Sequence, residues 1–238
     1  MSAFLYSVVL QWKLDLRSKS LLITCYVVPL LFFLLMGGIF TSVMPEMKST
    51  LIQAMVIMGV SMGAFIGLPP SLVETYGSDV KKVYSANGIP LYAGLAAMLI
   101  SAFIHLMTMC AMILLLAPVI FKAALPSDFP LFLAALTIFV VVSLSIGSVL
   151  GLAIKGQARL TMIAQLVFLP SIMLSGIMVP VDLLPPFLRV AGSIFPASHG
   201  YKLMLQNGFQ FGNLWYLLLL LFTTAIVCGI LLKKQKLR

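Results

Sequence analysis

Six long apolar runs divide this chain of 238 residues, and they constrain its fold more than any other feature. A helix needs about 20 consecutive apolar residues to cross roughly 30 Å of hydrocarbon, and each run is near that length or longer. We therefore predict an all-α integral membrane protein with six transmembrane helices. The predicted spans are residues 21–43, 51–73, 93–121, 131–154, 161–179 and 214–232.

The composition leaves no room for a large soluble domain. Apolar residues make up 62% of the chain and charged residues 9%, whereas soluble domains carry about 25% charged residues. Cys25, Cys110 and Cys228 lie inside apolar runs without metal-ligand spacing, so no metal site is predicted. Residues 1–238 are expected to form a single transmembrane domain without a cleavable signal.

The distribution of Lys and Arg predicts the orientation. With both termini in the cytoplasm, eleven of the 15 basic residues lie on the inner side and four on the outer side. Basic residues concentrate in cytoplasmic loops, so both termini are predicted to be cytoplasmic. The net charge of +9 then reflects topology and contact with anionic lipid headgroups, and no nucleic-acid partner is expected.

Residues 1–20 have the pattern of an amphipathic helix. Apolar residues recur every four positions on one face: Phe4, Val8, Trp12 and Leu16. Polar residues gather on another face: Ser7, Gln11, Asp15 and Ser18. This pattern, with its interfacial tryptophan, predicts a helix that lies along the inner membrane surface.

The stretch SGIMVPVDLLPPFLRVAGSIFPASHGYKLM, residues 175–204, interrupts the apolar runs on the predicted outer side. Its prolines break any continuous helix. Asp182 is expected to cap a short helix that has Pro185 and Pro186 in its first turn, and a second short helix is expected near 198–206. The segment 180–212 is either a loop resting on the headgroups or a pair of partly re-entrant helices capping a pathway.

Small residues spaced four apart occur in the second and fourth spans. They are Gly59, Gly63 and Gly67 in the second, and Ser143, Gly147 and Gly151 in the fourth. Such residues let helix backbones approach closely in lipid. Packing within one subunit is the favoured interpretation, and a subunit interface or a sliding face is the alternative.

Ionisable residues are almost absent from the middle of the spans, which argues against an ion-driven carrier. His105 is the exception; it is interpreted as a neutral, hydrogen-bonded residue between helices, with a proton site as the alternative. No catalytic motif and no nucleotide-binding loop is present. We predict no catalytic residues, and a membrane enzyme remains the least favoured class.

The stretch SLVETYGSDVKKVYSANGIPLYAG, residues 71–94, lies on the predicted inner side. Glu74 ends the second span, and the charged residues Asp79, Lys81 and Lys82 follow. Asn87-Gly88 and Pro90 then break the helix before the third span. The stretch is either a solvated connector or a short helix that offers a polar surface to a cytoplasmic partner.

Taken together, the chain resembles the permease subunit of ABC-2 type transporters. Three features carry the resemblance: the amphipathic start, the inner stretch ETYGSDVKKVYSANGIP, and the outer stretch after the fifth span. The outer stretch is similar to a family signature that is carried here by Ser175, Gly176, Pro180, Leu184, Pro185 and Pro196.

The resemblance implies that two permease subunits, identical or homologous, pair with two copies of a separate ATPase that binds ATP and Mg. The chain itself is then not an enzyme and holds no cofactor. The inner segment 74–92 would dock on the ATPase through Glu74, Tyr76, Gly77, Ser78, Asp79, Lys81 and Lys82. The outer segment would form an exit lid that includes Pro180, Asp182, Pro185, Phe187 and Pro196.

The resemblance further implies an ATP-driven exporter in a bacterial cell membrane. A pathway rich in Phe and Met suits a hydrophobic or amphipathic substrate such as a drug, a peptide or a lipid-like molecule. The predicted lining residues are Phe33, Phe40, Met55, Met62, Phe65, Phe168 and Met173. The alternative function is a secondary transporter or channel that works without an ATPase.

Overall fold

This computed structural model describes residues 3–77, 90–205 and 211–236, which are helical with short connections and contain no strand. The helices, in chain order, are α1 (Ala3–Arg17), α2 (Lys19–Val43), α3 (Leu51–Gly77), α4 (Leu91–Phe121), α5 (Phe129–Ala153), α6 (Gln157–Met173), α7 (Pro186–Gly192), α8 (Pro196–Leu205) and α9 (Phe211–Lys236). The all-α membrane fold is confirmed.

Five of these helices, α2, α3, α4, α5 and α9, are long and apolar enough to cross a membrane. The fifth predicted span corresponds to α6, which has 17 residues and ends at Met173 instead of residue 179. Pro170 lacks a backbone donor in its last turn, and Gly176, with φ +88°, then turns the chain away. The count of six spans stays a prediction.

Helix α3 occupies the centre of the bundle. In its most apolar stretch 89% of the residues are buried, against 6% in α9. It packs against α2, α4, α5, α6 and α8, so most of its side chains face protein and few face lipid. Because α3 contacts five other helices, a movement of α3 would displace residues in much of the bundle.

The small-residue patterns pack helices of this chain against each other. A side chain at Gly147 would collide with the carbonyl oxygen of Ala64 in α3. A side chain at Gly59 or Gly63 would collide with the side chain of Met109 or Leu106 in α4, respectively. Packing within one subunit, the favoured interpretation, is confirmed for these glycines.

Helices α2 and α3 each contain a π-helical turn, at Ile23–Val27 and Gly63–Gly67. Each turn lies shortly before proline, at Pro29 in α2 and at Pro69 in α3. A π turn accommodates one extra residue and lets a helix adjust to a residue that cannot donate a backbone hydrogen bond. The two turns pack on each other, with the Cys25 thiol of α2 lying over the glycines of α3.

The polar face of α1 is turned toward α4. Asp15 is buried, accepts a hydrogen bond from Gln11 Nε2 at 2.8 Å, and accepts another from the hydroxyl of buried Ser101. One turn further along α4, His105 stacks on Trp12 at 6.3 Å between ring centroids. The apolar residues of α1 that this packing leaves exposed include Phe4, Leu5, Tyr6, Leu10 and Leu14.

His105 is 1% exposed, and its Nδ1 is hydrogen-bonded to the hydroxyl of Tyr26 at 2.7 Å. The interpretation of this histidine as a buried, hydrogen-bonded residue between helices is therefore confirmed. The same contacts connect α1, α2 and α4 at one polar cluster.

The outer segment contains two short helices, α7 and α8, but their starts differ from the prediction. Asp182 lies in the 3₁₀ turn Val181–Leu183 and does not cap α7, because Pro185 occupies the position before the helix. Pro196 begins α8, whose first turn needs no donor from it. The Ser198 hydroxyl donates to the Gly192 carbonyl oxygen at 2.6 Å and connects the two helices.

Candidate functional site

We call the side that the sequence predicts to be cytoplasmic the inner end. The ends of α3, α5 and α9 and the start of α6 meet there around a cavity of about 570 Å³, the inner cavity. Its wall includes Glu74, Tyr76 and Gly77 of α3, together with Leu152, Lys155, Gly156, Gln157 and Gln235. Segments far apart in sequence thus form one surface at the end of α3, after which residues 78–89 follow in the chain.

Side-chain hydrogen bonds to backbone fix the shape of this cavity. Gln157 Nε2 donates to the Pro70 carbonyl oxygen at 3.2 Å, and Gln235 Nε2 donates to the Leu152 carbonyl oxygen at 3.2 Å. Gly156, with φ +88°, makes the tight turn between α5 and α6. These contacts hold α6 on α3 and α9 on α5.

Tyr76 connects the two ends of the inner segment, residues 74–92. Its ring is buried, and its hydroxyl donates to the Leu91 carbonyl oxygen at 2.7 Å. The bond joins the end of α3 to the start of α4, so the chain between them leaves and returns at one place. A force on residues 78–89 would therefore act on both helices.

The inner end carries positive charge. Lys155, Arg159, Lys233 and Lys234 are exposed there, whereas Glu74 is the exposed acid of the cavity wall. Such a surface favours an acidic partner or anionic lipid headgroups.

The predicted coupling residues divide into two groups. Glu74, Tyr76 and Gly77 lie in the wall of the inner cavity. Ser78, Asp79, Lys81 and Lys82 lie outside the described residues, and their coupling role stays a prediction. Lys155, Gln157 and Gln235 were not predicted from the sequence. The polar stretch 155–159 between two apolar runs could have indicated the first two.

At the opposite, outer end, a cavity of about 350 Å³, the outer cavity, lies between α3, the α4–α5 connection, α5 and α8. Its wall consists of Ser49, Thr50, Gln53, Ala124, Leu125, Pro126, Ser127, Asp128, Leu131, Phe132, Met204 and Leu205. The Ala124 N–H donates to the Lys48 carbonyl oxygen at 3.1 Å and ties the two outer connections together. None of these residues was predicted as functional.

Tyr201 anchors α8 at this outer end. Burial raises the pKa of Tyr201 above its usual value, while a hydrogen bond with Thr50 acts in the opposite direction. The phenol therefore stays neutral at physiological pH.

Of the predicted lid residues, Asp182, Pro185 and Phe187 are exposed, Pro180 is half-buried and Pro196 is buried. Their role as a lid stays a prediction.

The predicted pathway residues are distributed over several environments. Phe33, Phe40, Met55 and Phe65 are buried in the core between helices, Met62 and Phe168 are half-buried, and Met173 is exposed. None of the seven lines the inner or the outer cavity. Their contact with a transported molecule stays a prediction.

The family model of the ABC-2 type transporters matches residues 2–209, a range that holds α1 to α8. The chain belongs to this family. No curated protein matches it. As an ABC-2 type chain it is the permease component of an ABC-type transporter, a multi-pass membrane component distinct from a nucleotide-binding domain. The ABC-2 family also implies association with ABC ATPase partners.

Proposed function

We propose that this permease forms the membrane pathway of an ATP-driven exporter for a hydrophobic or amphipathic substrate. Two ATPase subunits bind ATP and Mg and dock at the inner end. The observation that carries this proposal is the inner cavity, where α3, α5, α6 and α9 meet and where α3 ends before the predicted coupling residues. A partner bound there would contact four helices of the bundle at once.

The two cavities share the helices that would transmit a movement. Residues of α3 and α5 line the inner cavity at one end and the outer cavity at the other. Close packing of Gly147 on the Ala64 backbone and of Gly151 on Leu72 holds the inner halves of these two helices tightly together. This arrangement supports a rocking movement driven from the inner end.

Contacts of α6 support a sixth crossing. Its first residue, Gln157, lies at the inner cavity. The chain that follows α6 packs Gly176 near Tyr201, which interacts with Thr50 of the outer cavity. A helix that joins these two ends supports both termini lying on the inner, cytoplasmic side of a bacterial cell membrane.

A stripe on α6 supports a second permease subunit, identical or homologous. Met162, Leu166, Leu169 and Met173 are exposed at spacings of four, three and four, so they lie along one face of the helix. This spacing is the one at which two helices interlock side chains. The predicted pathway residue Met173 lies at its outer end.

Charge reversal at the inner segment tests the proposal. We expect the wild-type chain, purified from its native membrane, to bring an ABC ATPase with it and to show no ATP hydrolysis alone. Lys81→Glu with Lys82→Glu should lower the recovered ATPase and abolish ATP-dependent uptake of an amphipathic dye by inside-out vesicles. Pull-down with mass spectrometry and dye fluorescence measure the two effects.

The matched control is Lys13→Glu with Arg17→Glu, which reverses the same charge on exposed basic residues of α1 that do not line the inner cavity. This control should retain ATPase recovery and uptake. If the double variant at 81 and 82 behaves like the control, the docking assignment is wrong. If liposomes containing only this chain move the dye down an ion gradient, the chain is instead a secondary transporter or channel.

A further inference from the structure

We infer that the outer cavity binds an amphipathic ammonium compound, with Gln53 and Asp128 holding the ammonium group and the apolar wall holding the remainder. The binding itself is independent of ATP-driven transport. Only the assignment of this compound as cargo rests on the proposed function.

The first observation is an unsatisfied buried amide. Gln53 is 5% exposed, and its Oε1 has no hydrogen-bond partner among the described residues. Buried polar groups normally have partners, so such an exception calls for an explanation. Several buried side-chain atoms share this condition, and of those in the described chain, that of Gln53 belongs to a residue lining the outer cavity and that of Gln235 to one lining the inner cavity. Gln53 lines the outer cavity, and rotation of its amide, whose oxygen has no partner to hold it, would bring Oε1 to a ligand that supplies the missing hydrogen-bond donor.

The second observation is a carboxylate held in the same wall. Asp128 Oδ1 accepts a hydrogen bond from the Leu131 backbone N–H at 3.0 Å and caps α5. This bond fixes the position of the carboxylate without neutralising it. Among the described residues that line the cavity, Asp128 carries a charge and no residue is basic; Lys48 and Lys122 are close in the chain but are not part of the wall.

The polar part of the wall therefore offers a carboxylate and, after rotation of the Gln53 amide, an amide oxygen. Hydrogen bonds between an ionised acceptor and a cationic donor are stronger than those between neutral groups. An ammonium group can donate to both acceptors, because it carries several N–H donors. An anion would be repelled by Asp128. A neutral apolar molecule would supply no donor to Gln53 Oε1 and no positive charge to Asp128.

The rest of the wall is apolar and selects the body of the ligand. Leu131, the nearly buried Phe132, and Met204 supply aliphatic, aromatic and thioether surface. The volume of about 350 Å³ lies within the range of small-molecule sites. An ammonium group on an apolar body fills both parts of the cavity, whereas a small inorganic cation would fill only one.

The test uses dansylcadaverine, a fluorescent primary ammonium compound, with the full-length chain in lipid nanodiscs without an ATPase. Empty nanodiscs provide the correction for partition into lipid. We expect saturable binding that is lost or strongly weakened for the N-acetylated, neutral analogue. Asp128→Asn should weaken binding about tenfold, because it removes a charge-assisted hydrogen bond while asparagine still caps the helix. Gln53→Met, of similar volume, should also weaken it.

Glu46→Gln is the matched control, because Glu46 is an exposed outer acid that does not line the cavity. It should bind the probe like the wild type. Thermal midpoints of all variants identify loss of folding; Gln53→Met is expected to keep the wild-type midpoint because it removes an unsatisfied polar group. Equal binding of the probe and its neutral analogue would overturn the inference, as would wild-type affinity in both cavity variants.

ATPase recovery from the wild-type chain purified from its native membrane separates this inference from the proposed function. Specific probe binding without any copurifying ATPase would keep the site and overturn the ATP-driven exporter. Normal ATPase recovery without specific probe binding would overturn only the site.

Discussion

Replacement of Gly147 by alanine is expected to leave little folded protein. The added methyl group would collide with the carbonyl oxygen of Ala64, which belongs to the backbone of the central helix α3. A flexible side chain could move aside, but a backbone carbonyl in a packed helix cannot move without its neighbours. Overpacking typically costs about 1–3 kcal/mol, and we expect the upper part of that range here.

The measurement is the thermal midpoint and the folded yield of the purified variant in nanodiscs. Gly229→Ala is the control, because a side chain at Gly229 in α9 would meet no atom within 4 Å. Alanine is a better helix former than glycine by about 1 kcal/mol, so the control should match or exceed the wild type. Equal midpoints for the two variants would contradict the close contact between α5 and α3.

Replacement of Asp15 by leucine is expected to release α1 from α4. The change removes the acceptor of both Gln11 and Ser101, and the Ser101 hydroxyl is fully buried. Leaving a buried donor without a partner costs about 1–3 kcal/mol. Hydrogen–deuterium exchange should show that the amides of residues 3–17 exchange faster than in the wild type.

Ser7→Ala provides the control for this prediction. The Ser7 hydroxyl donates to the Phe4 carbonyl oxygen within α1, so its loss changes the helix without changing its contact with α4. We expect exchange in this variant to resemble the wild type. Unchanged exchange in Asp15→Leu would show that the apolar contacts of α1, and not the buried carboxylate, hold it in place.

Helix α1 illustrates what the sequence could and could not predict. Its apolar and polar faces were visible from spacing alone, as were the long apolar spans. Spacing does not say which face meets protein. Beside a membrane the apolar face can remain exposed to lipid, so the polar face with Asp15 can turn inward toward Ser101. The sequence predicted the helix but not its contact.

The cavities were harder to predict for a different reason. Each wall is assembled from segments distant in sequence, such as Glu74, Lys155 and Gln235 at the inner end. A motif search examines residues at fixed spacing and cannot bring such segments together. Gln53 was a visible signal, since a glutamine within an apolar span needs a partner, but its isolation became apparent only from the packing around it.

The paired π turns put one extra residue into α2 and one into α3 at the level where the two helices touch. If either turn returned to α geometry, the half-helix beyond it would advance by one residue, about 1.5 Å along the axis and 100° around it. Gly63 and Gly67 lie at this level against Cys25, and the backbone of Ala64 between them packs on Gly147 of α5. A change of register would bring a residue with a side chain into these close contacts, so we expect the π geometry of α3 to be kept as long as α4 and α5 stay packed on it.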